Sequence, residues 1–198
     1  MFVSELDEAY RRAKSVADWA MENVQGLGME STNRNRLACA AYGLALEHHR
    51  AMSVLVEARA YGSTLALLRP AVEGFALGYW LLYQANENQL SEFTVGRMTL
   101  TLDTLLRRIA DGDSPGPQKS DLQQLVRRLN ALTHGAIEHL IMRQGQSVVG
   151  PQYRIEDMAN GLDIGTWVAK MSALDMVGGI ASETARAQQM LEEVALFE

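Results

Sequence analysis

Cysteine is nearly missing, with Cys39 alone among 198 residues. One thiol excludes an intrachain disulfide framework and any zinc site built from several cysteines. A reducing cytoplasm is its natural setting. Proline is scarce at four residues, and aromatics make up 7 %. Strand-forming aromatics are thus sparse while Ala, Leu and Met are plentiful, which favours helices. No run alternates with period two for long enough to mark a strand. There is no basic excess either. The net charge is -6 and the pI about 5.3, which counts against broad, non-specific nucleic-acid binding but leaves room for a local basic groove. Arg69 and Glu73 interrupt the longest apolar stretch, so no uncharged run reaches the roughly 18 residues of a membrane span. The opening MFVSELDEAYRRAK is charged and amphipathic, without a signal-peptide core.

Several chemical motifs are missing too. The Glu-x-x-His pairs of carboxylate-bridged di-iron bundles do not occur. Glu47-His48 and Glu138-His139 are adjacent pairs, which diverge by about 100° on a helix. There is no His-Glu-x-x-His, no Gly-x-x-x-x-Gly-Lys phosphate loop and no Gly-x-Ser-x-Gly elbow. The expectation is a chain without metal or cofactor.

What is present is 47 % hydrophobic residues, enough to fill the core of one domain spanning 1–198. The stretch from Tyr61 to Tyr83 is apolar around most of its circumference, with Arg69 and Glu73 as its two charges. It reads as the buried central helix of a bundle, kinked by Pro70 near 66–70. Its small residues Ala66, Pro70, Gly74 and Gly78 recur every four positions and predict a close helix approach. Arg69 and Glu73 either pair within the helix or reach a polar group on another helix. Before it, a helix is expected from Phe2 to about Gln25. Another follows from about Asn33 to Ala60, capped by Ser31, Thr32 or Asn33. The apolar face of the second is read as Leu37, Ala41, Leu44, Ala45, Met52, Leu55 and Val56. That face places His48 in the core and His49 at its edge. Further helices are expected from about Leu90 to Ala110, from the Ser120 capping box to about Arg143, and from about 163 to 196, the last interruptible at Gly178-Gly179. The core spans about 33–143. Loops are expected at Asp111–Lys119 and Gly145–Pro151, the second with a short extended piece near Val148. The fold expected is an all-α, single-domain bundle of five or six helices.

The helix ending near Arg143 carries the candidate chemistry. Its apolar stripe is Leu122, Leu125, Val126, Leu129, Leu132, Ala136, Ile137 and Leu140. At about 100° per residue, Arg127, Asn130, His134 and Glu138 share one border of that stripe. Arg128, His139 and Arg143 share the other. Asn130 and Glu138 each lie four residues from His134, where they can orient its imidazole. An imidazole moves the proton of a 2′-hydroxyl or a leaving oxygen, and a guanidinium neutralises charge on a phosphorane. Polar borders also occur on amphipathic helices that do no chemistry.

EHH (Glu47–His49), LLRPAVEG (Leu67–Gly74), Tyr79-Trp80 and LNALTHG (Leu129–Gly135), taken together over about 40–155, resemble an uncharacterised bacterial all-α family. That family has an Arg-Pro-x-x-Glu helix and a later His-Gly helix, and in turn resembles the HEPN superfamily. The resemblance implies a commonly dimeric α-bundle. It also implies a metal-independent endoribonuclease of toxin–antitoxin, defence or stress systems, using an Arg followed after four to six residues by a His. Arg127 or Arg128 with His134 fits that spacing, and Arg127 shares the border of His134. Neither has Asn, Asp or His directly after it, unlike many active HEPN motifs. The implied catalytic set is Arg127, His134, Asn130 and Glu138, supported by Arg69, Glu73 and His48. Implied partners are RNA or a nucleotide, a second copy of the chain and an antitoxin-type protein, with no membrane. Some HEPN domains are non-catalytic, so the rival expectation is a helical binding module for a nucleotide, small ligand or partner protein.

Overall fold

The computed structural model describes residues 4–110, 126–130 and 153–197. Among these, every regular element is helical. Helix α1 (Glu5–Val24) starts at a capping box: Ser4 Oγ accepts from the Asp7 amide, and the Asp7 carboxylate accepts from the Ser4 amide. Its small buried residues Ala9, Ala13, Ala17 and Ala20 let α1 lie close to its neighbours. Helix α2 (Asn33–Glu57) is capped by Thr32, whose Oγ1 accepts from the Asn35 amide at 3.1 Å. Helix α3 (Tyr61–Tyr79) runs on through Pro70 and passes into a π-helical turn, Trp80–Gln84.

The short α4 (Glu87–Thr94) begins at a second capping box, Asn86 with Gln89. Helix α5 (Leu102–Ala110) follows. Residues 126–130 are helical. Helix α6 (Ile155–Leu174) passes into a second π-helical turn, Asp175–Ile180. Helix α7 (Thr184–Val194) and a 3-10 turn, Ala195–Phe197, finish the described chain. The largest interface joins α2 to α3; α6 packs on α1, α2 and α3.

The core runs through all four long helices, with Trp80, Tyr42, Met52 and Leu162 among its largest buried side chains. The small-residue row on α3 is filled from within the chain. A Cβ on Gly74 would sit 2.9 Å from the Ala41 carbonyl oxygen, and one on Gly78 2.7 Å from the Tyr42 ring. The close approach predicted for this row is therefore the α2–α3 contact, not a contact between two chains. Tyr61–Gln84 is long and apolar enough to cross a membrane by length and composition, and 56 % of its apolar 18-residue window is buried inside the bundle.

Two boundaries differ from those read in the sequence. The helix expected over Leu90–Ala110 is split. Gly96, at φ +72°, closes α4 with its amide on the Phe93 carbonyl, and Arg97 donates to the Glu92 carbonyl. The C-terminal helix starts at Ile155, eight residues earlier than read. The α-helix is interrupted between Leu174 and Thr184, a break that takes in Gly178-Gly179 inside the π-helical turn and ends past Ser182, which has φ +58°. These breaks raise the number of helical pieces above five or six among the described residues alone. Phe2, the capping box at Ser120 and the extended piece near Val148 lie outside the described residues.

Candidate functional site

Residues 126–130 form one helical turn anchored by Leu129, which is 1 % exposed and joins the core. Arg127 and Arg128, just before that anchor, are both exposed. Asn130 is half-buried, and its Oδ1 atom is shut off from solvent without a hydrogen-bond partner among the described residues. A buried carbonyl oxygen left unpaired is costly, which makes Asn130 a feature in want of a donor. His134 and Glu138 lie outside the described residues, as do His139 and Arg143, so the structure places Arg127 and Asn130 alone of the four catalytic candidates.

Arg69 and Glu73 pair within α3, with Arg69 Nε donating to Glu73 Oε1 at 2.9 Å. Their side chains are 20 % and 38 % exposed. The central helix is thus not enclosed on every side; this pair marks its open flank. An ion pair of that exposure contributes only about 0.3–0.5 kcal/mol, so it orders side chains more than it holds the fold. Glu73 faces a groove of about 310 Å³ between α2, α3 and α5, shared with His48, Leu44, Pro70 and Leu102. Glu73 and His48 therefore meet the same space.

The assignment of the two histidines is reversed in the structure. His49 is fully buried and His48 is half-buried at the groove. The buried stripe of α2 is Ala38, Ala41, Tyr42, Ala45, Leu46, His49, Met52, Ser53 and Val56. Leu37, Leu44 and Leu55 drew the expected face round by about one residue, yet Leu44 is 52 % exposed. The axis is set by alanines and Tyr42, because α3 comes too close for leucine there. His49 Nε2 lies 3.3 Å from Thr166 Oγ1, while Nδ1 has no partner among the described residues. Burial lowers its pKa to about 4, so it is a neutral core imidazole.

A second cluster had no signal in the sequence. Asp175 opens the π-helical turn after α6, and it accepts from two tyrosines. Tyr42 donates to Oδ2 at 2.6 Å and Tyr83 to Oδ1 at 2.9 Å. Tyr83 itself sits in the other π-helical turn. Each turn closes with an i to i−5 bond, Ala85 to Trp80 and Ala181 to Met176. The widened turns bring together side chains 92 positions apart. Burial raises the Asp175 pKa, against the lowering effect of the two phenols. Burial first, then the nearby Asp175 charge, raises both tyrosines. A Cβ on Gly179 would lie 2.6 Å from the Tyr83 hydroxyl, so glycine is what admits that ring. Rings continue outward from the cluster: Tyr83 on Tyr79, Tyr79 on Phe75, and Phe75 edge-on to Trp167 at 5.3 Å.

Trp167 borders an open pocket of about 510 Å³, along with Arg128, Asn160, Asp163 and Ile164. Asp163 is held there by Arg12 at 2.9 Å. Among the described residues, no group of three His, Cys, Asp or Glu side chains converges as a metal centre would require.

Among the described residues these features make an all-helical bundle with a half-buried tyrosine–aspartate knot, a largely apolar groove on the α2–α3–α5 flank that His48 and Glu73 border, and an open recess beside Arg128. The chain belongs to a family of unknown function (DUF6988), matched over residues 42–195. The match takes in Tyr42, the Arg69–Glu73 pair, Arg127 and Asp175, and leaves out α1. No curated protein and no solved structure matches the chain.

Proposed function

We propose that the protein is a HEPN-like, metal-independent endoribonuclease acting through Arg127 and His134. The observation that supports it is the exposure of Arg127 on a turn pinned by Leu129. A guanidinium on a fixed base, open to solvent, is what a scissile phosphate needs. His134 accepts the 2′-hydroxyl proton and returns one to the leaving 5′-oxygen; Arg127 neutralises the phosphorane. Asn130 and Glu138 orient the imidazole, and the unpaired Asn130 oxygen is suited to accepting a ring N–H. Arg69 and Glu73 from α3 and His48 from α2 support the site from the flank those helices share. This reading places the protein in the cytoplasm as a homodimer, under an antitoxin-type partner. The dimer rests on the HEPN likeness alone, since α2 occupies the glycine row of α3.

The test is cleavage of a structured RNA by purified protein between pH 6 and 8, with His134→Ala and Arg127→Ala folding normally and losing it. A second reading is favoured by the groove that His48 and Glu73 share: a non-catalytic binding module for a nucleotide, small ligand or partner protein. It takes over if the native protein cleaves no RNA in that range and neither substitution changes a cellular phenotype.

A further inference from the structure

Trp167 is 53 % exposed, whereas Trp19 and Trp80 are 8 % and 1 % exposed. The indole stands in water between buried neighbours, Thr166 and Val168, and Phe75 fixes its angle from one edge. It borders the recess with Arg128, Asn160, Asp163 and Ile164. Asp163 is engaged by Arg12, so its charge does not repel an anion at full strength. Among the described residues no carboxylate pairs with Arg128. A flat ring, a side-chain amide and a guanidinium thus line one open volume. A nucleotide asks for those three groups: a face for the base, a donor and acceptor for its edge, and a cation for the phosphate.

We propose that this recess is a subsite for one unpaired nucleotide of single-stranded RNA. Trp167 stacks on the base, Asn160 hydrogen-bonds its edge and Arg128 meets the phosphate. The choice of RNA rests on the ribonuclease reading; the site itself rests on the recess. It also divides the two arginines. Neighbouring residues on a helix point about 100° apart, so Arg128 holds the strand from the α6 side and Arg127 serves the scissile phosphate. Arg128 and Trp167 are positioning residues in this scheme.

The experiment titrates native protein with a short 2′-O-methyl oligoadenylate, which lacks the attacking 2′-hydroxyl, and follows tryptophan emission. Saturable quenching is expected, because the one exposed indole is the reporter. Arg128→Gln weakens the apparent Kd by about tenfold and flattens its salt dependence. Trp167→Phe abolishes the quenching and weakens binding by anisotropy about fivefold or more. A duplex of the same length, its bases already stacked, fails to compete. Absence of saturable quenching in native protein overturns the proposal, as does an Arg128→Gln chain that binds unchanged. Quenching without cleavage of ordinary RNA leaves the subsite and removes the ribonuclease. Cleavage whose KM neither substitution moves does the reverse.

Discussion

Tyr42 on α2 donates its hydroxyl to Asp175 at 2.6 Å, joining residues 133 positions apart. Tyr42 is fully buried, while Tyr83, the other donor to Asp175, is 50 % exposed. The two bonds are therefore unequal. Tyr42→Phe leaves a carboxylate oxygen without its buried donor and is expected to lower stability by about 1–3 kcal/mol. Tyr83→Phe costs less, because water can replace that hydroxyl. Urea denaturation of the two variants checks the order.

The same aspartate makes stability depend on pH. Its pKa is raised in the fold, so the folded chain binds the extra proton. Its contribution is present below the ordinary carboxylate range and is lost as pH rises through the folded value. Tyr42→Phe removes a group that lowers this pKa and extends the loss to higher pH. Asp175→Asn removes this group's share of the slope and leaves that of His49. Denaturation midpoints measured from pH 4 upward report both.

His49 acts with the opposite sign. Its folded pKa of about 4 lies below the unfolded value of 6.5. Its contribution is present above pH 6.5 and is lost as pH falls towards 4, reaching about 3 kcal/mol. His49→Leu flattens that part of the profile. The difference between native and variant isolates the histidine from Asp175.

Glycines on facing helices separate packing from propensity. Gly74→Ala drives a Cβ against the backbone of α2, at 2.9 Å from the Ala41 oxygen and 3.0 Å from the Ala45 nitrogen. Backbone cannot step aside, so a net loss of about 1 kcal/mol or more is expected despite the better helix former. Gly43→Ala meets nothing within 4 Å and should gain up to about 1 kcal/mol. Thermal melts of the two variants should move in opposite directions.

The helical class, the capped start of α2, and the close contact at Gly74 and Gly78 could be read from periodicity, cap chemistry and residue size. What escaped has a physical reason in each case. On α2, leucines at 37 and 44 outweigh alanines on any apolar count, yet alanines are what a close helix pair buries. The break at Gly96 was written in the sequence as a glycine after an eight-residue helix, but Met98 and Leu102 kept the apparent period going. The Asp175 knot was not legible. Its partners lie 92 and 133 positions away, and the π-helical turns that aim them follow from tertiary packing. Trp167 was hidden too, since exposure of one indole on a mainly buried helix depends on what packs around it.

The most direct test of the account is the rate of RNA cleavage by native protein against Arg127→Ala and His134→Ala at neutral pH. Measurable cleavage by the native chain is expected, with a fall of about a hundredfold or more in each folded variant. Variants that cleave as fast as the native chain would contradict it.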